Sequence, residues 1–326
     1  MKQFLISRLL IAIPVIVSIV AISFLLLRLV PGDPVTALIG EYPAPPEYVE
    51  KIRQDFGLDR PMLMQFGLFV AHLFQGDLGF SFVNRQNVTT LLAERAARTL
   101  MLMIPGLVCS SLFGIGIALI GARKPGGRVD TFITTFSLVS YSTPIFWFGQ
   151  LLIIVFAVTL QWLPAQGMFS LRGVGSGFMP TFIDFVLHWI MPGLAITLFY
   201  GGIVARVARA SLREALGQDF MNTALAKGLT EREALRGHAL PNAMVPIASV
   251  IGYNFGHALT GTIMVEAVFG WPGLGGLFLT SISSRDYPVL QGIFLLAAMT
   301  VVVANLVTDI VYGLIDPRIR QGSLGS

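Results

Sequence analysis

The chain has 326 residues, of which 54% are hydrophobic and 12% are charged, and its mean hydropathy is +0.75. Soluble globular domains carry about 25% charged residues, so this chain has too few charges to cover a water-exposed surface of its size. The composition excludes a soluble enzyme, a disordered protein and a nucleic-acid-binding domain, and it indicates a polytopic membrane protein. The net charge of +4 is interpreted as a topology signal. The single cysteine, Cys109, excludes an internal disulfide and a metal site built from several cysteines.

Six charge-free apolar windows follow one another along the chain. Each is long enough to cross a hydrocarbon core of about 30 Å as a helix rising about 1.5 Å per residue. Helices are expected because lipid-facing backbone must satisfy its own hydrogen bonds, and the runs are too long and too uniformly apolar for barrel strands. The windows cover residues 9–27, 99–122, 131–171, 185–205, 237–265 and 287–308.

The first window differs from a cleavable signal peptide. Lys2 and Arg8 precede an apolar stretch that is longer than the usual signal core of about 7–15 residues. The residues that follow, 31–34, are Pro-Gly-Asp-Pro and do not form a small-x-small cleavage site. We therefore expect a retained signal anchor with its N-terminus inside.

The third window could hold two short spans, but the distribution of basic residues favours one. With six spans and the N-terminus inside, the basic stretches 123–128, 206–236 and 318–320 all fall on the inner side. A seventh span would move the second and most basic of these stretches outside. We therefore predict one helix over residues 132 to about 160, kinked at Pro144.

The windows divide the chain into four regions. Residues 1–30 form the N-terminal tail and first span, and residues 31–98 form an extracytoplasmic loop region. Residues 99–316 form a transmembrane domain of five helices with an inner loop at about 206–243, and residues 317–326 form a cytoplasmic tail. The outer region could be a cap over the mouth of the bundle or a docking surface for an external partner, and its sequence does not separate the two.

The inner loop predicts two short helices joined by a turn. The composition of residues 211–227 favours a helix, and Gly228 can end it. Thr230 and Glu233 have the spacing of a capping box, so a second short helix is predicted from Glu231 to about Ala239, with Pro241 at the entry to the fifth span. From the residues alone, an ordinary cytoplasmic loop remains an equal alternative.

This inner segment resembles the EAA loop of ABC-importer permeases. The family pattern is Glu-Ala-Ala, three residues, Gly, nine residues, Ile, any residue, Leu and Pro. Gly228, Leu240 and Pro241 match it in register, whereas Asn222 stands at the leading acid and His238 at the Ile.

The dipeptide/oligopeptide/nickel subgroup of these permeases is more similar. Its version resembles Arg-Thr-Ala-Arg-Ala-Lys-Gly-Leu followed by His-Ala-Leu, and the departures here are Asn222 and Leu225, both at Arg positions. Further motifs that look like this subgroup occur in the same order at residues 28–34, 76–79, 142–144, 269–275, 285–288 and 316–320.

The resemblance implies a type I ABC-importer permease, an all-α membrane protein with six transmembrane helices and a cytoplasmic coupling helix. The implied partners are a homologous second permease in a heterodimer, two cytoplasmic ABC ATPase subunits, an extracytoplasmic solute-binding protein and the lipid bilayer. The implied location is the bacterial plasma (inner) membrane, with both termini cytoplasmic. The implied solutes are peptides of the dipeptide or oligopeptide type. The chain would be no enzyme, would bind no cofactor, metal or nucleic acid itself, and would leave ATP and Mg to its partners.

The resemblance also assigns roles within the loop. The helix 231–239 would be the coupling helix seated in a cleft of the ATPase, Gly228 would allow the sharp turn, and Ala224 and Ala226 would keep the contact face small. The implied coupling residues are Ala224, Ala226, Lys227, Gly228, Thr230, Glu231, Glu233, His238, Leu240 and Pro241.

Polar residues inside the spans are candidates for the translocation path or for hydrogen bonds between helices. The candidate path residues are Ser140, Ser142, Thr143, Asn254 and His257. Gly252 and Gly256 form Gly-x-x-x-Gly and predict close helix packing.

Two other function classes remain open alternatives. A self-sufficient channel or ion-coupled secondary transporter would use Glu266, His257 or Asp309 as an ion or proton site. An intramembrane hydrolase has less support, because no nucleophile–base motif is present.

Overall fold

The computed structural model describes residues 2–29, 45–55, 60–81, 83–170, 177–257 and 263–315. The chain begins with helix α1 (Lys2–Leu29), followed by the short helices α2 (Pro46–Asp55) and α3 (Met62–Phe74). A two-stranded antiparallel hairpin, β1 (Phe80–Ser81) with β2 (Gln86–Asn87), leads directly into α4 (Val88–Ala122).

The remaining elements are all helical. Helices α5 (Arg128–Ser142) and α6 (Ile145–Leu152) come first, and α6 continues as a π-helical segment (Ile153–Thr159). The long α7 (Phe178–Leu216) precedes α8 (Asp219–Ala226), α9 (Glu231–Ala234), a π-helical segment (Leu235–Ala239) and α10 (Leu240–Gly256). The last three helices are α11 (Ile263–Phe269), α12 (Leu274–Ser283) and α13 (Tyr287–Ile315).

Within the described residues, three helices are long and apolar enough to cross a membrane: α4, α7 and the segment Tyr287–Thr308 of α13. Two bent pairs pass the same test together, so up to five spans follow from length and composition. Helix α10 has 17 residues, and the apolar part of α1 with described side chains is Leu10–Leu25. The predicted all-α class is confirmed.

The third predicted window is broken and not merely kinked. Helix α5 ends at Ser142, and it meets the helix Ile145–Thr159 at an angle of 99°. Thr143 takes an extended conformation (φ −84°, ψ 130°), which is the conformation favoured before a proline. Pro144 has no amide to continue the helical ladder, so the prediction of one kinked helix is wrong.

Two predicted windows also begin or end elsewhere in the structure. Helix α4 begins at Val88, eleven residues before the predicted window, which starts at residue 99. The window began late because the first turns of the helix carry charged residues, which a charge-free window excludes. The fifth window, 237–265, contains α10 and the start of a second bent pair in which α11 and α12 meet at 89°.

Neighbouring glycines on α7 let two helices approach it from different sides. A Cβ at Gly201 would lie 3.3 Å from the carbonyl oxygen of Ser110 on α4. A Cβ at Gly202 would lie 2.9 Å from the Cβ of Ser140 on α5. Helix α7 is therefore the central element against which α4 and α5 pack.

Helices α10 and α13 also meet through glycine. A Cβ at Gly252 would overlap the side chain of Thr308, and one at Gly256 would lie 3.2 Å from the Cβ of Ala304. The close packing predicted from the Gly-x-x-x-Gly pattern is confirmed.

Candidate functional site: the coupling segment and the polar residues of the spans

The candidate coupling segment, residues 217–241, follows the end of α7. Gly217 ends α7, and Gln218 then takes an extended conformation ahead of α8. The segment is fixed to the bundle by an apolar cluster beneath it. This cluster joins α4, α7, α8, α9 and α10 through Ala118, Ala208, Leu212, Met221, Ala224, Ala234, Leu235, Ala239, Ala243 and Ile247.

Gly228 forms the turn between α8 and α9. Its φ is +90°, a region that residues with a Cβ rarely adopt. Its amide donates to the carbonyl of Leu225 at 2.9 Å, and the Leu229 amide donates to the carbonyl of Ala224 at 3.4 Å. Because open space surrounds the Cβ position, conformation rather than crowding requires glycine here.

The predicted capping box is present at the start of α9. The Glu233 amide donates to Thr230 Oγ1 at 3.3 Å, and the Thr230 amide donates to Glu233 Oε2 at 2.9 Å. Thr230 Oγ1 also donates to Glu233 Oε2 at 2.7 Å. These hydrogen bonds, first that of the Thr230 hydroxyl and then that of its amide, lower the pKa of Glu233 below its ordinary value.

The helix that begins at Glu231 is not a separate short helix. Its first turn, α9, passes without a break into the π-helical segment Leu235–Ala239 and then into α10. The Leu240 amide donates to the carbonyl of Leu235, five residues back, which keeps the backbone bonded ahead of Pro241. Residues 231–256 therefore form one continuous helix, and the prediction of an isolated short helix is wrong.

The predicted coupling residues divide between an exposed edge and the core. Ala224 is 4% exposed and belongs to the apolar cluster, so it lies beneath the exposed edge. Leu240 is half-buried against the same cluster. The others lie on the exposed edge: Ala226, Lys227, Gly228, Thr230, Glu231, Glu233, His238 and Pro241.

Leu225 is an exposed residue of this edge that sequence reasoning did not assign to coupling. It is 42% exposed, whereas Met221 and Ala224 on the same short helix are buried. The signal was available, because the spacing of Met221 and Ala224 defines the packed face of α8 and places Leu225 off it.

The candidate path residues on α5 do not share one environment. Ser140 is 2% exposed and packs against Gly202 of α7. Ser142 is the exposed last residue of α5, and Thr143 lies in the break, where its hydroxyl donates to the Val139 carbonyl at 2.7 Å. Thr143 therefore caps the end of α5, and Ser140 serves helix packing.

The candidate path residues at the end of α10, Asn254 and His257, also lie in different environments. Asn254 is 3% exposed, and its side-chain nitrogen has no hydrogen-bond partner among the described residues. The His257 ring lies 4.4 Å from the ring of Tyr253, which is 62% exposed. Asn254 thus carries unused hydrogen-bonding capacity inside the bundle, whereas His257 is part of an aromatic pair.

Glu266 on α11 has a structural role. It is 1% exposed, and its carboxylate accepts from Thr99 Oγ1 at 2.6 Å and from the amides of Gly275 and Gly276 at 2.6 and 3.3 Å. Those amides begin α12, so Glu266 caps α12 from the neighbouring helix. A Cβ at Gly273 would overlap the carboxylate, which explains the glycine there.

This arrangement bears on the alternative that Glu266 is an ion site. Its oxygens are already occupied by Thr99 and by the α12 amides, and Arg95 on α4 donates to the Pro272 carbonyl in the same turn at 3.1 Å. The side chain of Asp309, the other acid in that alternative, lies outside the described residues. Among the described residues, no group of three or more His, Cys, Asp or Glu side chains could hold a metal ion.

A second buried carboxylate joins the β1–β2 hairpin to the start of the last helix. Asp286 is 3% exposed, and it accepts from the Ser81 hydroxyl at 2.5 Å and from the Asn84 amide group at 3.4 Å. Burial raises the pKa of Asp286 above its ordinary value, although hydrogen bonds from Ser81, the Val289 amide and Asn84 oppose the shift. The sequence contained the residues but no signal that would pair positions 81 and 286.

Comparison with protein families gives a match over almost the whole chain. Residues 111–321 match the family described as binding-protein-dependent transport system inner membrane component. Residues 1–103 match the N-terminal region of such membrane components.

Curated relatives align from end to end. The chain is 37% identical to the di/tripeptide transport system permease protein DppB of Pseudomonas aeruginosa, with 98% of this chain and 99% of that protein covered. It is 35% identical to the dipeptide transport system permease protein DppB of Escherichia coli K12 over the same shares. It is 38% identical to the glutathione transport system permease protein GsiC of E. coli O6:H1, again over 98% and 99%.

A solved structure supports the fold. The described architecture resembles a chain of the MetNI methionine ABC transporter in an inward-facing conformation, with a TM-score of 0.56 and 15% identity. The similarity covers 69% of this chain and 96% of that chain, so it carries the permease fold alone. The family match and the curated relatives show that the chain belongs to the binding-protein-dependent transport system inner membrane components, the multi-pass permeases of ABC importers.

Proposed function

We propose that this chain is the membrane-spanning subunit of an ATP-driven importer that carries peptides of the dipeptide or oligopeptide class. The observation that carries the proposal is the end-to-end similarity to permeases named for di- and tripeptides, dipeptides and glutathione, each with 98% of this chain covered. Glutathione is itself a small peptide, so these relatives share a solute class. The family relationship favours this function over a self-sufficient channel or secondary carrier.

Besides this chain, the importer would contain three kinds of protein. A homologous second permease would complete the pathway as a heterodimer, two ABC ATPases would bind ATP and Mg, and an extracytoplasmic binding protein would deliver the peptide. The chain itself would hold no nucleotide, cofactor or metal. The support for this set of subunits is the family match, because the family is defined by binding-protein-dependent transport.

The exposed edge of the coupling segment is the surface we assign to the ATPase. It combines apolar Leu225 with the charged residues Lys227, Glu231 and Glu233. The apolar cluster beneath it ties α8 and α9 to α4 and α7, which packs against α5. A displacement of the edge would therefore move the bundle, because packed helices move as discrete bodies.

The proposed orientation places this edge in the cytoplasm. It rests on the basic residues of the α4–α5 loop, Arg123, Lys124 and Arg128, and on those of the coupling segment, Lys227 and Arg236. With this orientation, α2, α3 and the β1–β2 hairpin lie on the extracytoplasmic side, and both termini lie in the cytoplasm.

The test combines purification with uptake. A tagged chain expressed in its own host is purified in mild detergent, and the bound proteins are identified by mass spectrometry. We expect a second permease and an ABC ATPase. A deletion strain should lose uptake of labelled dipeptide, and the uptake that the complemented strain regains should survive an ionophore but not ATP depletion. Uptake driven by the ion gradient alone would overturn the proposal.

A matched pair of charge reversals locates the ATPase contact. Glu231→Arg changes the exposed edge of the coupling segment, and Glu50→Arg changes an exposed position on α2. We expect Glu231→Arg to reduce ATPase co-purification at least several-fold, whereas Glu50→Arg leaves it unchanged. Equal ATPase recovery with both variants would contradict the assignment of the edge.

A further inference from the structure

Helix α3 exposes an apolar face, and its polar residues lie on the opposite side of the helix. Residues 63, 67, 71 and 74 follow the i, i+4, i+8, i+11 spacing of one helical face, and all are exposed. Leu63 is 86% exposed and Phe74 is 89% exposed. On the other side, Gln65 and His72 are half-buried. A helix at a water surface has the opposite arrangement, because water solvates its polar face.

No charge interrupts this segment. The sequence from Arg60 to Asp77 contains no Asp, Glu, Lys or Arg between those two residues. The His72 ring lies 3.2 Å from the carboxylate of Asp77, the first acidic residue after the helix. The helix therefore contains no Asp, Glu, Lys or Arg, and the charged residues Arg60 and Asp77 flank its two ends.

Aromatic contacts fix the position of α3 along α1. The Phe24 ring of α1 lies 5.2 Å from that of Phe66 and 5.7 Å from that of Phe69. Phe24 is five residues before the end of α1 at Leu29, which is about 8 Å along the helix axis. Helix α3 thus lies beside the end of a helix that itself exposes apolar side chains, including Ile11, Ile22 and Leu25.

The length of α3 excludes a span. Its 13 residues extend about 20 Å, against the roughly 30 Å of a hydrocarbon core. An exposed apolar helix of this length beside the end of α1 is consistent with an interfacial segment. Such helices lie about 5–10 Å deep, at the boundary between headgroups and acyl chains.

We propose that α3 is an interfacial helix whose Leu63–Gly67–Ala71–Phe74 face inserts into the lipid leaflet at the Leu29 end of α1. The occupant of this face is phospholipid. Its acyl chains would cover Leu63 and Phe74, and the headgroup layer would solvate the ends at Arg60 and Asp77. On the orientation proposed above, this is the outer leaflet, but the insertion itself does not depend on which leaflet it is.

The insertion would hold the β1–β2 hairpin, which follows α3, at a fixed distance from the membrane surface. Three residues after α3, Asp77 accepts from the Gly79 amide at 2.9 Å, and Phe80 then begins β1. Ser81 of β1 reaches Asp286 at the start of α13. The membrane-bound helix is therefore connected by a few residues to the outer end of the transmembrane bundle.

The test measures the depth of single labels. In a Cys109→Ala background, Leu63→Cys and Ala71→Cys are labelled with an environment-sensitive fluorophore, and the purified complex is placed in phosphatidylcholine vesicles. We expect brominated acyl chains to reduce the fluorescence of both labels about twofold, and aqueous iodide to leave it nearly unchanged. Bromine placed near the headgroup should quench more than bromine placed near the chain end.

Lys51→Cys on the charged helix α2 is the matched control, because it is exposed on a neighbouring short helix. It should respond to iodide and not to brominated lipid. Iodide quenching of the Leu63 and Ala71 labels would overturn the proposal. Protection of both labels from iodide and lipid alike would also overturn it, because a protein surface would then cover the face. Neither result depends on whether the complex transports peptides.

Discussion

The carboxylate of Asp130 on α5 binds the guanidinium group of Arg209 on α7 through two hydrogen bonds. Oδ1 accepts from Nε at 2.5 Å, and Oδ2 accepts from Nη2 at 2.8 Å. Oδ2 also accepts from the Gly126 amide at 2.8 Å, so one carboxylate joins the loop between α4 and α5 to the part of α7 that leads into the coupling segment. Arg209 follows Ala208 of the apolar cluster beneath α8, so the pair connects that loop to the cluster.

Removing this carboxylate should destabilise the protein. Asp130→Ala leaves Arg209 and the Gly126 amide without their acceptor, at a site where the Asp130 side chain is 4% exposed. Breaking a buried pair costs about 3–5 kcal/mol, and the 24% exposure of Arg209 favours the lower end. Thermal unfolding of the purified complex should show a clear drop. Asp219→Ala, at an exposed acid on α8, should not.

Substitution of Gly228 should separate ATP hydrolysis from transport. A β-branched residue at φ +90° is strained by about 1–2 kcal/mol, so Gly228→Val should displace α8 relative to α9 while leaving membrane insertion intact. We expect normal amounts of chain in the membrane, retained ATPase activity and little peptide uptake.

Gly116→Val is the matched control for Gly228. Neither glycine has a neighbouring atom within 4 Å of its Cβ position, but Gly116 lies within α4, outside the coupling segment, and its φ is not positive. The control should transport normally. Unchanged, solute-stimulated uptake by Gly228→Val would count against a coupling role for this turn.

Loss of the Glu266 charge should loosen the α11–α12 turn. Glu266→Gln replaces an acceptor-only carboxylate with an amide whose nitrogen cannot accept from the Gly275 amide or Thr99. Hydrogen bonds to a charged group contribute about 1.5–3 kcal/mol, so a loss of this size is expected. Thermal unfolding measures it, with Glu94→Gln, an exposed acid on α4, as the control. If Glu266 were an ion site instead, uptake but not stability would change.

The stability contribution of Asp286 should decrease as the pH rises. Burial raises its pKa in the folded protein, so between the ordinary value of about 3.9 and the raised value the folded state binds more protons than the unfolded state. Stability therefore falls with increasing pH across that window. The melting temperature of the wild type, relative to Asp286→Asn, should drop as the pH is raised from about 4. A wild-type melting temperature that rises with pH relative to that of Asp286→Asn would contradict this assignment.

Local features of the structure were predictable from the sequence. The capping box of Thr230 and Glu233 depends on residues three apart, and the turn at Gly228 depends on one residue's conformational freedom. The packing at Gly252 is encoded by a spacing on one helix. In each case a short stretch of chain contains the physical cause, so the pattern is sufficient.

The bends and long-range contacts were not predictable in the same way. Pro144 indicates an interruption of the helix, but the 99° angle depends on the packing of α6 against α7, α11 and the residues around Trp271. The role of Glu266 depends on Thr99, which lies 167 residues earlier in the chain. A sequence window shows that a residue is apolar or charged, but it does not show which distant residues that residue will contact in the fold.

The continuity of residues 231–256 has a mechanical consequence. At about 1.5 Å per residue, these 26 residues form a rod about 39 Å long. One end carries Thr230 and Glu231 in water, and the other carries the buried amide of Asn254. A tilt of this rod about the alanine-rich contact at Ala239 and Ala243 would move Asn254 and Glu231 in opposite directions.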